Sequence, residues 1–257
     1  GQLRGHDMKP MVSFVYLTKN GGELFKESLR SVLSQQVEFE FEVIAVDSGS
    51  TDGTLEFISA SSVFVHSIMP HEFNFGLTRD FGFELAQGEI LVPISQDVIL
   101  IGQDWLRKMV EPFLSEDVAV VQGSDIPNPT VVFYWDKIGL FYSTRDVRKW
   151  MSRYNNIGIS FTTCAIRRSV WEDNRLGRVE MSEDKVFQKA ITEKGHKIIK
   201  LPDAQDWHSH HYTLKSLANR CQNEGLGWRN VDVKYTAADM IADILNPTMI
   251  CALFYGL

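Results

Sequence analysis

Four groups of side chains have types and spacings that can do chemistry. The run 42–54, EVIAVDSGSTDGT, ends an apolar strand on Asp47 and opens a loop of small polar residues. A later segment, GEILVPISQDV, brings Asp97 to the end of another apolar run, just after Ser95 and Gln96. Ligands of open α/β sheets bind beyond the carboxyl ends of the strands, so both acids can face one crevice. As single residues, each serves equally well as a cap for a turn or helix. The third group is Asp206-Trp207-His208-Ser209-His210-His211. In an extended strand His208 and His210 share a face while His211 points the other way. Alternate histidines suit a metal, and with an aspartate they make the oxygen and nitrogen set that Mn²⁺ or Mg²⁺ accepts beside a diphosphate. Histidine runs are equally at home on ordinary surfaces, and His66, His71 and His196 are given no role. The fourth group is Glu183-Asp184, opening a helix with Ser182 as its N-cap and Val186, Phe187, Ala190 and Ile191 as its apolar face. Two acids there suit the helix dipole. They equally suit a general base at a rigid helix start, within reach of a hydroxyl proton.

The elements that must position these groups alternate. Val12–Leu17 and Phe41–Val46 are β-rich runs, and 23–35 between them places Leu24, Phe25, Leu29, Val32 and Leu33 on one helical face. The pattern continues with a helix at 55–59, a strand at 63–66, a helix at 78–86 and a strand at 90–94. Such alternation predicts a mostly parallel sheet with helices on both faces. A helix over 104–113 and a strand over 118–122 follow, and then 124–128, with Pro127 inside it and Pro129 just after, reads as a loop. The second half reads as a strand at 160–167, a helix at 183–194, a strand at 197–201 and a helix from Thr213 to about Trp228. No linker separates the halves.

Composition narrows the class. At 257 residues and 44% apolar content the chain can bury one substantial core. Its net charge of -7 argues against nucleic acid or an anionic membrane as a general partner. Cys164, Cys221 and Cys251 are few and widely spaced, which fits a reducing, cytoplasmic setting. Residues 1–7 read as a cloning remnant ahead of Met8 and stand outside the fold. The apolar stretch from Met240 is interrupted by Asp243, Asn246 and Pro247 and falls short of the roughly 20 residues that span a bilayer. The apolar ending ICALFYGL still needs a surface to bury against.

Taken in order, LTKN, VDSGSTDGT, FNFGLTRDFGFELAQGEILVPISQD, SED and PDAQDWHSHHY resemble the family 2 glycosyltransferases, from about Val12 to Tyr212. The FNFGLTRDFG and SQD pieces look most like bacterial rhamnosyltransferases of surface-polysaccharide synthesis. The resemblance implies the GT-A fold: one α/β domain over 8–257, with a mostly parallel central sheet flanked by helices. Residues 8–123 would form the nucleotide-binding half and 124–257 the acceptor and catalytic half.

Residue by residue, the resemblance implies that Thr18 and Asp47 contact the nucleotide, Asp47 accepting from the base, and that Arg79 lies near the ribose or diphosphate. Asp97 takes the last position of the Asp-x-Asp motif and binds Mn²⁺ or Mg²⁺, with His208 or His210 completing the coordination. Asn74 and Gln96 line the donor-sugar pocket. Asp184 is the catalytic base and Glu183 supports it. Ser95 stands where many members have the first aspartate, which makes Asp97 depend more on histidine. Phe75 stands where relatives often carry histidine, which bears on the donor sugar. The implied reaction is inverting transfer from a dTDP- or UDP-linked sugar to a hydroxyl of a glycan or lipid-linked acceptor, in the cytoplasm and with peripheral association at the inner face of the membrane. Two other classes compete: a nucleotidyltransferase, for which LTKNGGEL lacks a full phosphate loop, and an inactive sugar-nucleotide-binding module, in which Glu183-Asp184 would have no task. Trp135, Tyr142, Trp150 and Tyr154 suit either sugar stacking or core packing.

Overall fold

The computed structural model describes residues 11–129, 145–208 and 213–246. Its strands are β1 (Val12–Thr18), β2 (Phe41–Asp47), β3 (Phe64–Ser67), β4 (Ile90–Ile94), β5 (Ile99–Leu100), β6 (Val118–Ile126), β7 (Cys164–Arg167) and β8 (Lys197–Trp207). The helices are α1 (Gly22–Leu33), α2 (Thr54–Ser59), α3 (Phe75–Leu85), α4 (Trp105–Val110), α5 (Arg145–Ser152), α6 (Arg168–Glu172), α7 (Glu183–Glu193), α8 (Leu214–Arg229) and α9 (Ala237–Ile244). Short 3₁₀ turns occupy Pro70–Glu72 and Glu111–Leu114.

The strands form one sheet of order β3-β2-β1-β4-β7-β6-β8-β5. β1 is parallel to β2 and to β4, whereas β7 runs antiparallel between β4 and β6. β6 and β8 are parallel to each other, so β1, β2, β4, β6 and β8 all end at the same edge. The chain order reverses between β1 and β4, which makes the gap beyond their ends the topological switch point.

Burial on both faces explains why β1, β2 and β4 read as predominantly apolar runs. Phe14 and Tyr16 of β1 enter one core layer with Phe25, Leu29, Val92 and Trp105. Val15, pointing the other way, joins Ile44, Phe83, Leu91, Phe187 and Ile191 in the second. α1 buries Phe25, Ser28, Leu29 and Val32, one helical stripe, and leaves Leu33 exposed. On α7 the buried stripe is Glu183, Phe187, Gln188 and Ile191, so an acid stands where an apolar side chain would.

Four expectations need correction. α3 begins at Phe75 rather than Thr78, because the Asn74 side chain caps it by accepting from the Leu77 amide at 3.1 Å. The strand at 160–167 is confined to Cys164–Arg167, preceded by one bridge from Thr163 to Ile94. β6 does not stop at Gln122, and the supposed loop at 124–128 is strand as far as Ile126. β8 likewise passes Leu201 and Pro202 and continues to Trp207. The register jumps from Gln122↔Lys200 to Ser124↔Gln205, a bulge that absorbs Pro202. Beyond it Asp125 stands opposite Asp206 and Ile126 opposite Trp207.

Candidate active site

The loop after β2 is organised by Asp47. Its Oδ1 accepts from the amides of Gly49 at 3.0 Å and Ser50 at 2.9 Å. Its Oδ2 accepts from the hydroxyls of Thr18 at 2.9 Å and Ser50 at 2.5 Å. A carboxylate has about four lone-pair positions, and all are occupied in a side chain closed to water. Asp47 therefore shapes the loop, and a nucleobase donor must displace one of these partners to reach it. The loop after β1 is tied to the same frame. Asn20 Oδ1 accepts from the Thr51 amide at 2.8 Å, and Asp52 Oδ2 accepts from the Gly22 amide at 3.1 Å. Gln96 closes the switch point, accepting from the Lys19 amide at 3.0 Å and donating to the Lys19 carbonyl at 3.1 Å. Ser95 is half-buried, and its amide donates to the Thr162 carbonyl at 2.8 Å.

Asn74 is buried, with its oxygen shared between the Leu77 amide and the Val179 amide, each at 3.1 Å. Its Nδ2 has no partner among the described residues, so the amide carries an unsatisfied donor. Phe75 stacks edge-on against Phe73, with centroids 4.9 Å apart. Asp80 went unnoticed in the sequence, yet it holds the segment before α7. It accepts from Trp171 Nε1 at 2.7 Å, the Leu176 amide at 3.1 Å and the Gly177 amide at 2.9 Å.

Glu183 and Asp184 differ in environment. Glu183 is buried and pairs with Arg79 Nη2 at 3.5 Å. Burial raises its pKa above the ordinary value, Arg79 pulls against that rise, and Asp184 adds to it. Arg79, expected beside the ribose or diphosphate, has Glu183 as its observed ion-pair partner and is equally buried. Asp184 is half-buried and accepts from the Lys185 amide at 2.7 Å. Ser182 sits at the N-cap position but in the left-handed region, φ 61°, and its side chain makes no capping bond. α8 presses on it there: a Cβ on Gly227 would overlap Ser182 Oγ and Cβ. Lys185 reaches Glu224 of α8 at 3.5 Å, and Asn230 Nδ2 donates to the Met181 carbonyl at 3.0 Å.

The ends of β4, β6 and β8 bring a second set together. His208 Nε2 lies 3.6 Å from Asp97 Oδ1, and Nδ1 lies 3.7 Å from Asp125 Oδ2. Burial pushes the imidazole pKa down, but Asp125 and Asp97 outweigh it and raise it to about 10. Behind them Asp206 is fully buried and accepts from Thr163 Oγ1 at 2.9 Å. Burial first, and then the charge of Asp125, raises Asp206 to about 8. The Cys164 thiol is also raised, by burial and then by Asp184, with Asp125 adding to the effect. The buried thiol thus feels Asp184 at the start of α7 and Asp125 at the end of β6.

Asp97 and His208 fit a divalent ion by donor chemistry, a hard oxygen beside an imidazole nitrogen. Among the described residues no group of three His, Cys, Asp or Glu is arranged to hold a metal. His210 lies outside the described residues, as do Trp135 and Tyr142. Trp150 is buried against Tyr154 and Trp228, with centroids 4.6 and 5.4 Å away, so packing is its use. Cys164 and Cys221 are free thiols.

An acid-lined strand edge on a mixed sheet of this order defines the class as a GT-A fold. A mannosyltransferase from Pyrobaculum calidifontis, solved with GDP-Man and Mn²⁺, shares it with a TM-score of 0.64 and 19% identity, over 97% of this chain and 75% of that one. Glucosyl-3-phosphoglycerate synthase from Mycobacterium tuberculosis, solved with Mn²⁺, UDP and glucosyl-3-phosphoglycerate, gives 0.66 and 16%, over 88% and 82%. The chain belongs to glycosyl transferase family 2, whose model matches residues 13–175. It is similar to the O-antigen chain rhamnosyltransferase RfbN of Salmonella typhimurium (strain LT2), 27% identical over 229 residues, 84% of this chain and 71% of that protein. The corresponding WbaN of Salmonella anatum is 27% identical over 231 residues, 84% of this chain and 72% of that protein. The chain is therefore a glycosyltransferase.

Proposed function

We propose that this enzyme transfers a sugar, with inversion, from a nucleoside diphosphate to an acceptor hydroxyl, and that it does so with a divalent ion. The observation that carries this reading is the shared edge, where His208 lies 3.6 Å from Asp97 and 3.7 Å from Asp125 at the ends of the strands. The proposed roles are these. Asp184 accepts the proton of the acceptor hydroxyl, whose oxygen bonds to the anomeric carbon as the bond from that carbon to the diphosphate breaks. Glu183, held by Arg79, fixes the start of α7 so that the Asp184 carboxylate meets the hydroxyl in a set direction. Thr18, Asp47 and Gln96 shape the nucleotide wall, and Asn74 offers its unpaired Nδ2 to the donor. Asp97 and His208 would hold the ion, which when bound offsets charge on the departing diphosphate. The Mn²⁺ named with the two solved relatives supports the metal. The Salmonella relatives, named as O-antigen chain rhamnosyltransferases, support a rhamnosyl group as what is moved; a dTDP- or UDP-linked donor and a glycan or lipid-linked acceptor complete the proposal. No helix among the described residues is long and apolar enough to cross a membrane, and a cytoplasmic setting with peripheral membrane association remains part of the proposal.

The test is incubation with dTDP-, UDP- and GDP-linked sugars and Mn²⁺. Slow release of nucleoside diphosphate from one of them, faster with acceptor, is expected. Release of pyrophosphate would point to a nucleotidyltransferase, and release of neither to a binding module.

A further inference from the structure

Asp125 lies in the stretch whose prolines made it read as a loop, and no role followed from the sequence. The bulged pairing of β6 with β8 changes that. Asp125 stands opposite Asp206 in the register, and the His208 amide donates to the Ile126 carbonyl at 3.0 Å, so backbone bonds fix where Asp125 and His208 meet. The imidazole lies between two carboxylates, Nδ1 3.7 Å from Asp125 and Nε2 3.6 Å from Asp97. Those nitrogens face opposite sides of the ring, so a metal ligand bound through one must be oriented through the other. Asp125 is 32% exposed and Asp97 is 25% exposed, while His208 between them is 15% exposed. The ring is thus the most enclosed of the three, as expected of a side chain held in place.

We propose that Asp125 is a positioning residue: with the ion bound, its carboxylate closes the present 3.7 Å separation and accepts a hydrogen bond from the Nδ1–H of His208, so the Nε2 lone pair is directed to the ion beside Asp97. This rests on the reading that Asp97 and His208 bind a divalent ion. Partners of this kind fix the tautomer and ring orientation of a metal-bound histidine, and their loss typically weakens metal binding by about 10- to 100-fold.

The experiment is a titration of Mn²⁺ with UDP present, free Mn²⁺ being read by electron paramagnetic resonance. It compares wild type, Asp125→Ala, Asp125→Asn, His208→Gln and Asp125→Ala/His208→Gln, with thermal unfolding as a check that each variant folds. Asp125→Ala is expected to bind at least about tenfold more weakly. Asp125→Asn, which keeps an acceptor oxygen, should fall between it and wild type. In the His208→Gln background, Asp125→Ala should have no further effect, because its influence passes through the imidazole. Wild-type affinity in Asp125→Ala overturns the proposal while leaving the metal site standing if His208→Gln still loses affinity. An equal loss in both backgrounds also overturns it, by making Asp125 a ligand in its own right. Failure of wild type to take up Mn²⁺, or indifference to His208→Gln, overturns the metal reading and this proposal with it.

Discussion

Replacing Glu183 with Ala should remove about 3–5 kcal/mol of stability, because it strands the Arg79 guanidinium inside the protein. The two side chains are 6% and 8% exposed, and Nη2 and Oε1 are 3.5 Å apart. Arg79 has little else to fall back on. Its Nη1 reaches the Val15 carbonyl only at 3.5 Å, the Phe161 ring centroid is 5.8 Å away, and Nε has no partner among the described residues. At an effective dielectric of about 20, unit charges at that separation attract by about 5 kcal/mol. Desolvation offsets much of this in the intact pair, whereas removal of one partner exposes the whole cost of burying the other. The opposite substitution is gentler. Arg79→Met leaves a carboxyl that can neutralise itself by keeping its proton, and burial already raises Glu183 above its ordinary 4.5. The folded state then holds a proton that the unfolded state has released, so the stability of this variant falls as pH rises above 4.5. Urea unfolding, followed by tryptophan fluorescence at about pH 5 and pH 8 with linear extrapolation, reads both effects. Glu183→Ala should lose stability at both pH values, and Arg79→Met should lose more at the higher one. Glu183→Ala within about 1 kcal/mol of wild type, or a pH-independent Arg79→Met, would refute the reasoning, since an exposed surface pair is worth no more than that.

The metal-free enzyme should also lose stability as pH rises from 6.5 towards 10, because folded His208 keeps its proton over that window while the unfolded chain releases it. Thermal unfolding across the window should slope downward in wild type and less so in His208→Gln. An identical slope in both would remove His208 as the cause. Asp80→Asn keeps at most two of the three bonds now made to Trp171, Leu176 and Gly177 and turns an amide donor towards another donor. Its cost should be about 1–3 kcal/mol by urea unfolding. A change of a few tenths would mean that the segment before α7 is held by other contacts.

Much of the sheet was legible in the sequence for one physical reason. β1, β2 and β4 are buried on both faces, so each is predominantly apolar, broken only by Ser13 in β1 and Glu42 in β2, with a polar residue at its end or just after it. The ends of Thr18, Asp47 and Gln96 were visible for the same reason. β6 and β8 were underestimated because their second halves carry Ser, Asp, Gln and Pro, residues that local propensity assigns to loops. Only the partner strand and the bulge make them β, and that information is tertiary. Asp125 was missed along with them. The acid pair on α7 was legible as a pair, but not its division of labour: burial and Arg79 set Glu183 apart from Asp184, and neither can be read from adjacent letters. Ser182 looked like a cap and is instead a left-handed turn pressed by Gly227. Asp47 could be a loop organiser or a nucleotide ligand by sequence, and the structure gives every oxygen position a loop partner.

The most direct measurement separates catalysis from binding at Asp184. Sugar transfer and UDP or dTDP affinity are measured in wild type and Asp184→Asn, with the sugar nucleotide that the wild type turns over. Removing a general base while keeping its shape should cut turnover by about 10²- to 10⁴-fold and leave nucleotide affinity within about twofold. Turnover in Asp184→Asn equal to that of wild type would contradict the assignment of the base, and with it the proposed mechanism.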